Sequence, residues 1–418
     1  MHGPAAPAYR LREAGTGAGR ARLLAGARAL ADRLAETAIL GAEDVAWLGL
    51  APVGEQNWDI APLGMDVYGG LPGIALFLAY AGAVLRVERY TDLARGALNA
   101  MRPQVELLRG ELPGIGGLEG WGGLLYTLTH LAVLWDDPDV LAQAGDIVEV
   151  LAGFVDQDQD LGVLRGAAGA IGSLLAFQRC APSEPALRAA SACGEHLLAS
   201  ARAQEPGLGW VIPGLGPQPL AGFAHGAAGI AWALLELAGV TGDERYRAAA
   251  QQAIEYERSL YSPQARNWPD LPPAGSPAPR FMAAWCHGAA GIGLARLRAL
   301  PHLDDPRLGD EIQVALHTTL AHGFGQSHCL CHGDMGNLEL LLEASRVWPA
   351  GGWGARMERL AAMVLDSMER DGWQCGGPGG TEMPGLMLGL AGMGYQMLRL
   401  AEPERVPSVL LLAPPVHG

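Results

Sequence analysis

Three short runs of the 418-residue chain set histidine immediately before a Gly-x-x-Gly sequence, the last two with cysteine before the histidine: Phe223-Ala224-His225-Gly226, Trp285-Cys286-His287-Gly288 and Leu330-Cys331-His332-Gly333. Cys286, Cys331 and His332 form a candidate zinc site. Zinc favours thiolate and imidazole, and two cysteines with one histidine leave the fourth position open, as a catalytic site requires. Cys331 and His332 are adjacent, so aiming both at one ion requires non-helical backbone. A thiol entering the open position would be deprotonated at neutral pH, where a free one mostly is not. His225 holds the matching place in a neighbouring run, is not needed as a ligand, and suits general acid–base work. His287 follows a candidate ligand and faces the same cavity in this reading. Cys180 and Cys193 fall on expected helices and read as small buried hydrophobes. Cys329 reads as a neighbour of the site and Cys375 as structural.

The elements that position these residues are visible as a recurring unit, Gly-x-x-Gly followed by an apolar helical run. It appears at Gly70–Gly73, Gly117–Gly120, Gly166–Gly169, Gly226–Gly229, Gly288–Gly291, Gly333–Gly336 and Gly389–Gly392. Each copy follows an amphipathic segment with apolar residues at helical spacing, as in ERYRAAAQQAIEYERSL. The chain therefore reads as seven pairs, each a surface helix and then a more apolar helix. Helices apolar nearly all round must be enclosed by protein, so seven inner helices surrounded by seven outer ones, closed into a ring, are expected. The glycines would mark the crowded starts of the inner helices, and all seven preceding loops would share one end of the ring. Residues 21–418 are expected to form one domain, with 1–20 a linker-like segment rich in Gly, Ala and Arg.

Composition agrees and excludes several classes. Ala and Leu are abundant, and aromatic residues make up only 6%, so the fold class is all-α. The net charge of −15 argues against a nucleic-acid-binding surface. No run of about 18 apolar residues suggests a membrane span, and no signal peptide is visible. Six cysteines in 418 residues are too few for a disulfide scaffold. A cytoplasmic location is expected, where clustered cysteines more often mean metal or catalysis.

The runs AHGAAG, WCHGAAG and LCHGDMGN together resemble the lanthionine cyclase family. DVYGGLPGIALFLAY, YERSLYSPQARNWPD and RVPSVLLLAPP are similar to the C-terminal cyclase domain of class II lanthipeptide synthetases, the LanM type. The resemblance covers about residues 25–415. It implies an α/α toroid, zinc at Cys286, Cys331 and His332, and addition of a substrate cysteine to dehydroalanine or dehydrobutyrine in a dehydrated precursor peptide. It implies an acid–base role for His225. Two departures stand out. The family aspartate four residues before the third motif is replaced by Gly162, which raises the alternative of a non-catalytic peptide-binding partner. Class II synthetases also carry a dehydratase domain, so either this is an excised domain or a separate dehydratase acts as its partner.

Overall fold

The computed structural model describes residues 11, 17–53, 57–109, 114–270 and 279–416. Most of the linker-like segment expected at 1–20 lies outside the described residues. Fourteen α-helices occur among the described ones. The outer set is α1 (Arg20–Thr37), α3 (Glu88–Leu108), α5 (Pro138–Ala152), α7 (Glu184–Ser200), α9 (Glu244–Ser259), α11 (Arg307–His322) and α13 (Trp353–Asp371). The inner set is α2 (Leu71–Leu85), α4 (Trp121–Trp135), α6 (Ala167–Cys180), α8 (Ala227–Thr241), α10 (Ala289–Ala299), α12 (Asp334–Val347) and α14 (Leu390–Ala401).

Each inner helix packs on the next in sequence, and α14 packs on α2, closing an α/α toroid. The pairing is offset from the one expected. Each inner helix packs most closely on the outer helix that follows it, and α14 takes α1, the first. That exchange joins the two ends of the chain. Inner helices are buried on nearly every face, as α2 and α8 illustrate. Outer helices bury one stripe only, as in α9 with Tyr246, Ala249, Ala250, Ala253 and Ile254.

The two sets start differently. Several outer helices begin on a side-chain cap, with Asp137, Ser183 and Asp243 accepting from their first backbone amides. Every inner helix has glycine at its N-cap and no side-chain cap. Its first amides are met instead by the preceding loop, which folds back over the helix start. Thus Gly291 donates to Ala284 O, and Gly336 to Cys329 O. A Cβ on Gly291 would lie 2.0 Å from Trp285 O, and one on Gly336 would lie 1.8 Å from Leu330 O. The second glycine of the motif is therefore required by close approach of the loop. In the second unit the helix starts at Trp121, so the working pair is Gly120–Gly123, three residues beyond the pair read from sequence. Overlapping glycines in GGLEGWGG made the register ambiguous.

Among the described residues, three two-stranded hairpins lie outside the helical scheme: β1 (Ile39–Leu40) with β2 (Val45–Ala46), β3 (Leu48–Val53) with β4 (Asn57–Pro62), and β5 (Arg202–Ala203) with β6 (Leu208–Gly209). The C-terminal segment 406–413 occupies the toroid's interior. Arg399 Nη1 donates to Val406 O at 2.8 Å, Tyr395 Oη to Pro407 O at 2.9 Å and Tyr126 Oη to Ala413 O at 3.0 Å. No described helix is long and apolar enough to cross a membrane.

Candidate metal centre

The seven loops are tied to one another by a closed circuit of backbone hydrogen bonds at one end of the toroid. Each circuit residue lies two positions before an inner-helix N-cap. Leu118 N donates to Leu164 O (3.2 Å), Leu164 to Ala224 (3.1 Å), Ala224 to Cys286 (3.2 Å) and Cys286 to Cys331 (3.3 Å). Cys331 then donates to Met387 (2.9 Å), Met387 to Tyr68 (2.7 Å), and Tyr68 back to Leu118 (3.1 Å). Cys286 and Cys331, 45 positions apart in the chain, are thus adjacent members of one ring. Amides buried at such a convergence need partners, and the circuit supplies them while fixing where each following side chain emerges.

Residues one position before the N-caps follow the same circuit: Glu119, Arg165, His225, His287, His332, Leu388 and Gly69. The three histidines are consecutive. Cys286, Cys331 and the His332 ring offer ligand atoms that all lie within 4.8 Å of one another, with both cysteines buried and His332 half-buried. Zinc-type bonds of about 2.0–2.3 Å set tetrahedral ligand atoms somewhat under 4 Å apart, so the cluster fits one ion with slight contraction. Among the side chains alone, the electrostatics favour the protonated groups. The hydrogen-bonded Cys286 sulfur, followed by burial, holds the Cys331 thiol well above its ordinary range. Burial pushes His332 down, yet hydrogen bonds to the Cys329 and Cys331 thiols outweigh it and raise the imidazole to about 11. A divalent charge between the sulfurs reverses this pattern, because coordination deprotonates a thiol outright. Inner-helix N-termini converge here too, and their positive ends favour developing negative charge.

The centre opens into a cavity of about 430 Å³ lined by Tyr68, His225, Asp270, Trp285, Cys286, His287, Cys331 and His332, among others. All five residues singled out from sequence therefore meet in one place. The His225 and His287 ring centroids are 6.0 Å apart. Burial, with His287 and Arg165 adding to it, pushes His225 down to about 4, so it is neutral at pH 7. His287 Nδ1 lies 3.0 Å from Asp270 Oδ1. Asp270 is held at the cavity by its amide, which donates to Arg280 O at 2.7 Å across the loop. Trp285 is buried and donates its indole N–H to Leu410 O at 3.1 Å, linking the Cys286 loop to the interior C-terminal segment.

Tyr68 and Asp270 were missed in sequence. Tyr68 lies two residues before its N-cap, like Cys286 and Cys331, so the repeat register held that signal. Nothing in local spacing signals Asp270. Neither aspartate near Gly162 replaces the absent carboxylate. Asp158 accepts from the amides of Asp160, Leu161 and Ala167, closing its own loop, and Asp160 faces Arg165 at 3.6 Å. A Cβ at Gly162 would lie 2.7 Å from Ala224 O and 3.0 Å from His225 Cα, so this backbone leaves no room for a side chain there. Cys193 is buried and inert, its thiol pushed up by burial and then by Asp158. His328 is buried and bonded to Ser367 and to the Gln374 amide.

Residues 61–411 match the family model described as lanthionine synthetase C-like protein. Over 208 residues the chain is 28% identical to the lacticin 481/lactococcin biosynthesis protein LcnDR2 of Lactococcus lactis subsp. lactis, covering 46% of this chain. The match spans 22% of that relative, about a fifth of its length. Among solved structures, nisin cyclase superposes with a TM-score of 0.67 at 20% identity, covering 83% of this chain and 92% of that one. The unsaturated glucuronyl hydrolase of Streptococcus agalactiae reaches a TM-score of 0.51 at 11% identity, covering 80% and 94%. At these identities the two superpositions establish the α/α toroid alone.

Proposed function

The chain belongs to the lanthionine synthetase C-like family, and from that premise we propose that it closes thioether rings in a dehydrated peptide with zinc held by Cys286, Cys331 and His332. One observation carries the reading: two thiols and an imidazole from two separate loops converge within 4.8 Å at the mouth of the toroid. Zinc, when bound there, supplies the charge that turns an entering cysteine thiol into a thiolate at neutral pH.

The chain's own residues account for the remainder. The cavity brings a substrate cysteine and a dehydroalanine or dehydrobutyrine residue together beneath the histidines. The thiolate sulfur forms a bond to the β-carbon, and the π pair of the C=C bond moves towards the carbonyl, giving an enolate. A proton delivered to the α-carbon completes lanthionine or methyllanthionine. His225 and His287 are the proposed acid–base pair. Asp270 accepts from His287 Nδ1–H, which fixes the tautomer and leaves Nε2 as the working nitrogen. His225 is neutral at pH 7 and so has a vacant acceptor nitrogen, and its lowered basicity makes the imidazolium formed by a transferred proton a ready donor to the enolate. Helix N-termini favour the transient enolate.

The alternative of a peptide-binding partner without catalysis rested on Gly162. The Asp270–His287 contact supports the enzyme reading, because it supplies a carboxylate–imidazole pair from a different loop. The peptide substrate, a partner dehydratase and the class II affiliation all belong to this proposal. The test is incubation of the zinc-loaded protein with a dehydrated precursor, followed by thiol alkylation and mass measurement. Closed rings block alkylation. Loss of alkylation with the wild type but not with Cys331→Ala supports the reading, and full alkylation in both overturns it.

A further inference from the structure

The histidines and metal ligands occupy one half of the mouth. The other half is formed by Leu388, Gly69, Glu119 and Arg165, and it floors a second cavity of about 460 Å³. Tyr68 lines both cavities, so they are neighbouring compartments of one mouth. The outer wall of the second is the β3–β4 hairpin, which contributes Leu50 and Trp58, with Leu63 and Met383 beside it.

That hairpin carries an unusual face. Its register pairs Leu48 with Pro62 and Leu50 with Ile60, and sets Trp58 on the same side. This side is wholly apolar at those positions, yet Leu48 is 48% exposed, Trp58 44% and Ile60 67%. On the other side Gly49 lies close to Leu63 and Pro384 and also lines the cavity, so Leu50 and Trp58 are the members of the apolar face that reach the compartment, and Leu48 and Ile60 continue that face outside it. Contiguous apolar surface left open beside a polar anchor is the usual composition of a ligand site. The anchor here is Arg165. Its carboxylate neighbours, Glu119 and Asp160, stand 3.7 and 3.6 Å away, beyond hydrogen-bonding distance. Its buried Nε has no hydrogen-bond partner. The Nε is enclosed between these carboxylates, but the side chain as a whole is 39% exposed, so the outer N–H groups of the guanidinium can reach a backbone carbonyl of a bound chain.

We propose that this second compartment is a binding subsite for the substrate peptide itself, receiving an aliphatic or aromatic side chain of a residue near the reacting cysteine while Arg165 donates to the peptide backbone. The inference rests on the ring-closing reading above. The occupant follows from continuity: a peptide whose thiol reaches Cys286 and Cys331 passes Tyr68 and has this apolar compartment as its next surface. The subsite selects for bulk and apolarity near the cysteine. It also restrains the peptide on the side opposite the histidines, so that the chain between thiol and acceptor folds back over the mouth.

The test is a binding measurement that needs no chemistry. Two fluorescein-labelled heptapeptides, Gly-Ser-X-Ala-Ser-Cys-Gly with X either Phe or Ser, are titrated with zinc-loaded full-length protein and followed by anisotropy. The Phe peptide is expected to bind about tenfold more tightly than the Ser peptide. In Trp58→Ser and in Leu63→Ser that preference is expected to fall below twofold, with unchanged zinc content and circular dichroism. Leu107→Ser, at an exposed position on outer helix α3, retains it. Absence of a Phe preference in the wild type, or its survival in both hairpin-side variants, overturns the subsite. Equal weakening of both peptides overturns it as well. So does a dimer in sedimentation that Trp58→Ser dissolves, because a second copy then covers the face. Ring closure is measured separately by alkylation. Preference without closure removes the enzymatic reading and leaves the subsite, and closure without preference does the reverse.

Discussion

Replacing Gly291 by alanine tests how the toroid aims its sulfur ligands. The new Cβ would stand 2.0 Å from Trp285 O and 2.8 Å from Phe223 Cβ, where ordinary contact begins near 3.4 Å. The Trp285 carbonyl must therefore retreat by roughly 1.4 Å (3.4 − 2.0). It belongs to the peptide bond that carries the Cys286 amide, and that amide donates to Cys331 O in the closed circuit. Metal–ligand distances tolerate only about 0.2 Å, so a shift of an ångström beside Cys286 degrades the site. Zinc affinity should drop by about 10–100-fold, the range for lost supporting contacts. Overpacking should also cost about 1–3 kcal/mol of stability. Gly169→Ala is the matched control. Its Cβ would meet Val163 O at 1.9 Å, a similar collision on a loop that carries no ligand. Zinc affinity is read by competition with a chromophoric chelator, and stability by thermal unfolding of the metal-free protein. Equal stability losses with equal, wild-type zinc affinity in both variants would refute the reasoning, because loop position would then not govern ligand position.

Three further outcomes follow from the same geometry. Asp270→Asn keeps the shape but removes the charged acceptor from His287 Nδ1. Ring formation should slow by about 10–100-fold with zinc content unchanged, and an unaltered rate would remove Asp270 from the mechanism. Burial pushes His225 to about 4, His130 to about 3 and His328 to about 4. The unfolded chain takes up protons below its ordinary value of about 6.5 while the folded chain does not. Stability is therefore level above pH 6.5 and falls as pH drops towards 4, by up to about 3 kcal/mol for each histidine. Denaturant titrations at pH 7 and pH 4.5 check this, and equal midpoints would contradict it. Arg399→Met strands Glu339, to which Arg399 Nε donates at 2.8 and 2.9 Å in the buried interior. It should cost about 3–5 kcal/mol without altering zinc stoichiometry, measured by unfolding and by elemental analysis.

The parts of this molecule legible in its sequence share a cause, which is repetition. Seven Gly-x-x-Gly units announced seven inner helices, and the cysteines and histidines just before three of them announced the candidate site, because a repeated backbone puts equivalent positions side by side. What escaped was contact that repetition does not encode. The repeat led to the expectation of a closed ring but not to its outer pairing: α14 packs on α1, and no local pattern records which outer helix an inner helix prefers. Asp270 reaches His287 from a loop outside the repeat. The β3–β4 hairpin has alternating apolar residues, but its strands, LGLAPV and NWDIAP, are too short to stand out in a helical background. Gly162 read in sequence only as a departure from the family pattern. In the fold it is a steric necessity of the loop against His225, which makes Gly162→Asp a poor test of catalysis.

X-ray absorption at the zinc edge of the purified protein tests the central claim most directly. Cys286, Cys331 and His332 predict a first shell of two sulfurs and one imidazole nitrogen, completed by one light atom, with the sulfur contribution halved in Cys331→Ala. A shell of oxygen and nitrogen alone, or one unchanged by that substitution, would contradict the assignment.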